Sequence, residues 1–95
     1  MTRDELLAKL RDLKPWLAEQ GVVNVRLFGS FARDEAGPDS DVDLLVDVDR
    51  PLGLAFLGVE RDVADHVGRR VDLVRMSDLE NPFLRKYVLR DAFPI

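Results

Sequence analysis

The sequence predicts a small α/β (α+β) domain in which helices cover one face of a mixed β-sheet. Apolar residues at helical spacing alternate with three short segments rich in β-branched residues, which gives the order αβαβαβα. The middle β segment opens with two carboxylates two residues apart, a spacing that places charge on one face of a strand. The chain of 95 residues has the length of one small domain, and we interpret residues 1–95 as a single domain.

The first segment is predicted to be an amphipathic helix. Thr2 and Glu5 have the spacing of a capping box, which satisfies free backbone N–H groups at a helix start. The apolar stripe that follows consists of Leu6, Leu10, Leu13 and Leu17. Pro15 is expected to kink or restart the helix, because proline lacks an N–H group and clashes with the preceding turn. Gly21 is expected to end the helix as its C-cap.

The central part of the chain has the pattern strand, turn, short helix, loop, strand. β-Branched residues predict a first strand over Val22–Phe28, followed by a turn at Gly29 and Ser30. A short helix over Phe31–Glu35 and a polar loop then lead to a second strand over Asp41–Val48. Because this connection is too short for a parallel crossover, the two strands are predicted to be antiparallel.

The C-terminal half is predicted to add a parallel strand and further helices. A helix over Leu52–Val67 leads to a third strand over Arg70–Val74, so that strand, helix and strand form a right-handed parallel unit. The buried stripe of that helix consists of Phe56, Val59, Val63 and Val67. Ser77 and Glu80 have capping-box spacing for a short helix, and Asn81 is the predicted cap of the last helix.

Composition excludes several classes of site. The chain has no cysteine and one histidine, which excludes disulfides and a histidine-rich zinc site made by one chain. A net charge of −4 and a pI of about 4.9 are unfavourable for direct nucleic-acid binding, which depends on neutralising phosphates. No apolar run approaches the ~18 residues of a membrane span, and the N-terminus lacks a signal-peptide pattern. We therefore expect a cytoplasmic protein that binds neither membrane nor nucleic acid.

The candidate chemistry lies on the second and third strands. Asp41 and Asp43 share one face of the second strand, and Asp72 on the third strand can lie beside them. Three such carboxylates can bind Mg²⁺ or Mn²⁺, which prefer oxygen ligands, and paired ions can activate an attacking oxygen. Without metal, their mutual repulsion raises one another's pKa. A lone Asp-x-Asp pair is more often the solvent face of an edge strand, but the flanking of Asp72 by apolar residues favours the metal site.

Residues in and after the turn are candidates for nucleotide binding. Backbone N–H groups of Gly29 and Ser30, with the Ser30 hydroxyl, can hold phosphates, although a glycine after a strand is often only a turn. Gly29 is expected to tolerate no side chain. Arg33 can contact a phosphate or pair with Asp34 or Asp39 at the surface.

Two further interpretations concern the surface. Arg69 and Arg70 are interpreted as a solvated pair rather than a triphosphate clamp. In the last segment, Val88 is expected to pack on the sheet, whereas Phe93 and Ile95 lie beyond the helix and can extend a docking surface.

Taken together, the segments GSFAR, SDVDLLV and VDLV resemble the nucleotidyltransferase superfamily with the DNA polymerase β-like fold. Within it, the chain is most similar to the minimal nucleotidyltransferases, a group that includes MntA-like antitoxins. The resemblance implies a phosphate-holding turn at Gly29 and Ser30. It also implies metal ligands at Asp41 and Asp43 and a third catalytic carboxylate at Asp72.

The resemblance also implies an activity and a partner. ATP is the expected donor of AMP, and the expected acceptor is a tyrosine hydroxyl on a HEPN-type ribonuclease toxin, bound in a hetero-oligomer. Larger members carry helical domains that hold the acceptor, and no such domain is expected here. Two alternatives remain: an antitoxin that neutralises its partner by contact alone, and a small-molecule nucleotidyltransferase. Asp34 stands where many members have glycine, which we expect to be harmless at an exposed position.

Overall fold

The computed structural model describes residues 1–95 and contains four helices and one four-stranded sheet. The helices are α1 (Arg3–Glu19), α2 (Gly29–Ala32), α3 (Ala55–Val67) and α4 (Pro82–Asp91), and the strands are β1 (Val22–Phe28), β2 (Val42–Val48), β3 (Val71–Arg75) and β4 (Phe93–Pro94). A 3₁₀ helix over Met76–Asp78 follows β3. None of the helices is both long enough and apolar enough to cross a membrane.

The sheet has the strand order β3-β2-β1-β4 and is mixed. As predicted, β1 and β2 are antiparallel, and β2 and β3 are parallel. The pairing of β4 with β1 was not predicted: Phe93 lies opposite Leu27, and the Ile95 N–H donates to the Val25 oxygen at 3.2 Å. Phe93 and Ile95 therefore extend the sheet edge, and Phe93 remains exposed there, so a docking surface at this edge stays a prediction. A two-residue strand that contains proline has no alternating pattern to predict it.

The main core lies between the sheet and helices α1 and α3. Val42, Leu44 and Val46 of β2 are fully buried on this face. They form one cluster with buried residues of α1 (Leu6, Leu7, Leu10 and Leu17) and of α3 (Phe56, Val59, Val63 and Val67). The predicted stripe of α3 is confirmed at every position, and the fold class is confirmed with it.

A second, smaller cluster lies on the opposite face of the sheet. It contains Leu45, Leu79 and Val88, so α4 covers the face that also carries Asp43. This arrangement corrects the prediction that all helices lie on one face, while the predicted packing of Val88 is confirmed. The physical reason is Leu45, which lies on this face with the partly buried residues Phe28, Val74 and Met76 and is removed from water only if another element covers them.

Helix α1 confirms its predicted cap and shows no restart at Pro15. The Glu5 N–H donates to Thr2 Oγ1 at 3.1 Å, and the Thr2 N–H donates to Glu5 Oε1 at 3.3 Å. The helix continues through Pro15 without a restart, because its leucines pack on the core both before and after the proline. Gln20, not Gly21, is the C-cap, and Gly21 follows it with φ +88°.

The helix after β1 lies earlier in the chain than predicted. It spans Gly29–Ala32 rather than Phe31–Glu35 and is followed by Asp34 at φ +59°. This left-handed conformation favours glycine, but aspartate is among the few other residues that adopt it. Asp34 is exposed, as expected.

In the C-terminal half, two helix starts differ from the prediction and one agrees with it. Helix α3 begins at Ala55, later than predicted, because Gly53 interrupts the helical backbone with φ +57°. Ser77 and Glu80 form no capping box, since a 3₁₀ helix without a side-chain cap occupies that segment. Asn81 caps α4 as predicted, and its side chain accepts the first free backbone N–H groups at 2.9 and 3.3 Å.

We predict that Leu45→Ala will destabilise the protein by about 2–5 kcal/mol, because Leu45 is fully buried between the sheet and α4. The measurement is chemical denaturation followed by circular dichroism. Leu57→Ala is the matched control, because Leu57 is 60% exposed on α3 and its truncation should change stability by less than about 0.5 kcal/mol. Equal effects of the two substitutions would show that α4 does not seal this face.

Candidate active site

The turn after β1 packs directly against a carboxylate of β2. Phe28, the last residue of β1, pairs with Asp43 across the antiparallel strands, and Gly29 follows with φ +76°. A β-carbon at Gly29 would overlap Asp43 Oδ2 and lie 3.1 Å from its Cγ. Gly29 therefore accommodates no side chain, as expected, and the group that excludes one is the Asp43 carboxylate itself.

The three predicted carboxylates lie at one end of the parallel pair of strands. Asp43 and Asp72 are direct partners in the register of β2 and β3, and Asp41 immediately precedes β2. Asp43 is half-buried, whereas Asp41 and Asp72 are exposed. Adjacent strands are separated by ~4.8 Å, so the paired residues Asp43 and Asp72 are close neighbours on the face opposite the main core.

Asp43 has an unfavourable electrostatic environment. Burial raises its pKa above the ordinary aspartate value, and the nearby charges of Asp72 and Asp41 raise it further, while the Arg33 cation opposes them. The side chains of Asp43 and Asp72 form no hydrogen bond or ion pair within the chain. A half-buried carboxylate without a protein partner is a ligand left available for a cation.

Arg33 lies between the carboxylates and the end of α4. Its Nε donates to Glu35 Oε2 at 3.1 Å, and its Nη1 lies 3.5 Å from Asp91 Oδ2. These contacts raise the pKa of Arg33, chiefly through the hydrogen bond to Glu35. Of the two alternatives for Arg33, surface pairing with Asp34 or Asp39 is not formed, because Glu35 and Asp91 at the end of α4 are its acidic partners instead.

The turn itself leaves polar groups free. Ser30 is half-buried, and its hydroxyl forms no hydrogen bond within the chain. It lies one residue from Gly29 and therefore close to Asp43. All six residues singled out from the sequence are thus gathered at one end of the sheet, with Asp43 at their centre.

The carboxylates fit a magnesium-type site in their chemistry. Their oxygens are hard ligands, and Gly29 leaves open the space beside Asp43 that a side chain would fill. No group of three or more acidic or histidine side chains is close enough to hold a single ion by itself. Mg²⁺ usually takes one or two protein carboxylates and completes its shell with water and phosphate oxygens, so this arrangement is compatible with it.

Two residues near the site had no clear signal in the sequence. Asp91 lies at the end of α4 and reaches Arg33 only because α4 crosses the carboxylate face. Arg69, interpreted as part of a solvated pair, instead donates from Nη1 to three backbone carbonyls of the loop before β2. Its neighbour Arg70 is more exposed and lies 3.6 Å from Asp41 Oδ1.

Comparisons with known proteins identify the family of the chain. The model of the nucleotidyltransferase domain family matches residues 3–93. Over 97% of its length the chain is 41% identical to the protein adenylyltransferase MntA of Thermococcus cleftensis, of which it covers 94%. It is 34% identical to a candidate protein adenylyltransferase of Methanocaldococcus jannaschii, with coverage of 99% of this chain and 98% of that one.

Solved structures show the same fold. A candidate minimal nucleotidyltransferase superposes with a TM-score of 0.87 at 38% identity, covering all of this chain and 97% of that one. A chain from a toxin–antitoxin structure with AMP-PNP has a TM-score of 0.68 at 22% identity, covers 99% of this chain and 72% of that one, and shares the fold. The chain therefore belongs to the nucleotidyltransferase domain family and, within it, to the minimal nucleotidyltransferases.

Proposed function

We propose that residues 1–95 act as one domain that transfers AMP from ATP to a hydroxyl group of a partner protein, with Mg²⁺ or Mn²⁺ as cofactor. The observation that carries this proposal is Asp43, a half-buried carboxylate without a protein partner, held beside Asp72 and packed against the Gly29 turn. The relatives that match nearly the whole chain are named as protein adenylyltransferases, which supports a protein acceptor.

The three aspartates have different roles in this proposal. Asp41 and Asp43 are the residues that would hold the cations, and Asp72 would share the second ion and favour loss of the acceptor proton. Bound divalent ions supply charge neutralisation on the phosphates. A bond forms between the acceptor oxygen and the α-phosphorus, the bond to the β-phosphate oxygen breaks, and pyrophosphate leaves. The acceptor proton is released to Asp72 or to water.

The turn and Arg33 would position the nucleotide. The backbone N–H groups of Gly29 and Ser30 and the free Ser30 hydroxyl can donate hydrogen bonds to the β- and γ-phosphates. Arg33 places a permanent positive charge near Asp43 and can approach a phosphate oxygen from the same side.

The partner we propose is a HEPN-type toxin, modified on a tyrosine hydroxyl within a toxin–antitoxin hetero-oligomer. One structure with the same fold comes from a toxin–antitoxin complex, which supports a partner of that kind. The net charge of −4 suits a basic, RNA-cleaving partner through complementary charge. ATP as donor is consistent with a cytoplasmic location.

A second candidate is neutralisation by contact alone. Helix α4 exposes Phe83 (83%) and Tyr87 (59%) on the same side of the sheet as the carboxylates. An apolar surface of this kind can bind a partner whether or not transfer occurs. The two candidates differ in whether they require the aspartates.

We predict that Mg²⁺ or Mn²⁺ together with a non-hydrolysable ATP analogue will raise the melting temperature of the wild type. At 100 times the dissociation constant, binding contributes about 2.7 kcal/mol, or roughly 10–20 °C for a domain of this size. Asp43→Asn should lose this increase, because its amide is a poor ligand. Asp65→Asn, a change at an exposed position of α3, is the control and should keep it. An unchanged increase in Asp43→Asn would remove Asp43 from the metal site.

The difference in stability between the wild type and Asp43→Asn, measured in EDTA, should depend on pH. The raised pKa of Asp43 means that ionisation costs more in the folded state, so the wild type loses stability as pH rises from the ordinary aspartate value through the raised value. Asn avoids this loss. The variant should therefore be the more stable protein at pH 7, and the difference should vanish below about pH 3, where both side chains are neutral. Thermal denaturation at the two pH values measures the difference, and a less stable variant at pH 7 would contradict the sign.

We predict that Ser30→Ala will weaken binding of the ATP analogue with Mg²⁺ by roughly 10–100-fold, the effect of losing a hydrogen bond to a charged group. Isothermal titration calorimetry measures the affinity. The fold should be unaffected, since the Ser30 hydroxyl has no partner within the chain. Ser77→Ala, in the exposed 3₁₀ helix, is the control with the same chemistry. Equal affinities in both variants would make the Gly29-Ser30 turn purely structural.

We predict that incubation of a purified HEPN-type toxin with ATP, Mg²⁺ and the wild type will add the mass of one AMP per modified tyrosine. Intact-protein and peptide mass spectrometry detect the adduct. The double variant Asp41→Ala/Asp43→Ala should produce none, whereas Asp62→Ala/Asp65→Ala, two exposed changes on α3, should behave as the wild type. If both double variants silence the toxin equally and no adduct forms, neutralisation by contact is the function.

A further inference from the structure

The loop before β2 is held by one arginine, Arg69. Its Nη1 donates to the backbone oxygens of Gly37 at 3.4 Å, Pro38 at 3.0 Å and Ser40 at 3.2 Å. Ser40 immediately precedes Asp41, so the last of these bonds fixes the backbone at the entrance to the Asp-x-Asp segment. The loop has its own turn, closed by the Gly37 N–H and Ser40 Oγ at 2.8 Å, but only Arg69 ties that turn to the rest of the chain by side-chain hydrogen bonds.

The same guanidinium also contacts α2, the short helix that begins at Gly29. Its Cζ lies 5.3 Å from the ring centroid of Phe31, which is fully buried in α2 directly after Ser30. Arg69 itself follows Gly68, which ends α3 with φ +72°. One side chain therefore connects the end of α3, the loop before Asp41 and the short helix after Gly29. The negative face of an aromatic ring attracts a cation, so the guanidinium is held at this position.

We propose that Arg69 is a positioning residue of the metal site, which sets Asp41 relative to Asp43 by holding loop residues 37–40. This inference rests on the proposed function, because it takes Asp41 as a metal ligand. Arg69 contacts no carboxylate of the site within the chain; it acts through the backbone that carries Asp41. Outer-shell groups that orient metal ligands typically change metal affinity about 10–100-fold when removed.

The direction in which metal affinity changes when Arg69 is removed distinguishes a positioning role from a purely electrostatic one. A cation near the carboxylates repels a divalent ion. If Arg69 acted only through its charge, its removal should therefore tighten metal binding. If Arg69 acts by holding the loop, its removal should weaken metal binding, because Asp41 is no longer held in position. Arg70 is the natural contrast, since its Nε lies 3.6 Å from Asp41 Oδ1 and competes with any cation for that oxygen.

The experiment measures Mn²⁺ affinity by electron paramagnetic resonance in the presence of a non-hydrolysable ATP analogue. Arg69→Met should weaken binding about 10–100-fold and speed amide hydrogen exchange over residues 37–41. Arg69→Lys should recover part of the affinity, because an ammonium group keeps the charge and a donor but cannot match the fork of the guanidinium. Arg70→Met should tighten binding. Arg61→Met, on the exposed face of α3 and without a hydrogen bond or ion pair, should leave it unchanged.

Unchanged or tighter Mn²⁺ binding in folded Arg69→Met overturns the proposal, as does the absence of Mn²⁺ binding in the wild type. If Arg69→Met does not fold, Arg69→Lys decides: affinity weaker than that of the wild type supports positioning, and equal or tighter affinity overturns it. If the wild type transfers no AMP while the affinities follow the expected order, the proposed reaction fails and the role of Arg69 in the metal site stands.

Discussion

The contact between the Gly29 turn and the Asp43 carboxylate is the constraint on which the candidate site depends. Because Gly29 has no side chain, the backbone after β1 lies close enough to half-bury Asp43. Burial beside Asp72 raises the pKa of Asp43, and no protein cation neutralises it directly. The native state therefore contains a charge that is unfavourable until a ligand arrives. A site of this kind is ready to bind a ligand, but it lowers the stability of the unliganded protein.

The alternation of side chains along β2 makes such a charge tolerable. Every second residue of β2 contributes to a fully buried core with α1 and α3, and the stability from that burial offsets the repulsion on the other face. On that other face, Leu45 and its partly buried neighbours Phe28, Val74 and Met76 form an apolar cluster, which α4 covers. The end of α4 then returns to the site through Asp91 and Arg33. Packing of this apolar cluster thus brings α4 to the edge of the candidate active site.

The charges of the site also explain why the proposed reaction needs a metal. A triphosphate and several carboxylates repel each other at close range, so the nucleotide can approach Asp43 only when cations lie between them. Arg33 and Arg70 supply positive charge nearby, but each already has acidic neighbours within the chain. The local balance is therefore negative. It favours divalent cations, in agreement with the membership of the chain in the nucleotidyltransferase family.

Features encoded within a few residues could be predicted from the sequence alone. The alternation of Asp41, Val42 and Asp43 determined which face carries charge, and the short connection between β1 and β2 determined that they are antiparallel. Other features arise only when distant segments pack together. The short strand β4, the position of α4 on the carboxylate face, the Arg33–Asp91 pair and the hold of Arg69 on the loop before β2 all join residues far apart in the chain. Local propensity describes how a segment folds, whereas these contacts depend on which surfaces remain to be covered after the sheet has formed, and only the tertiary structure decides that.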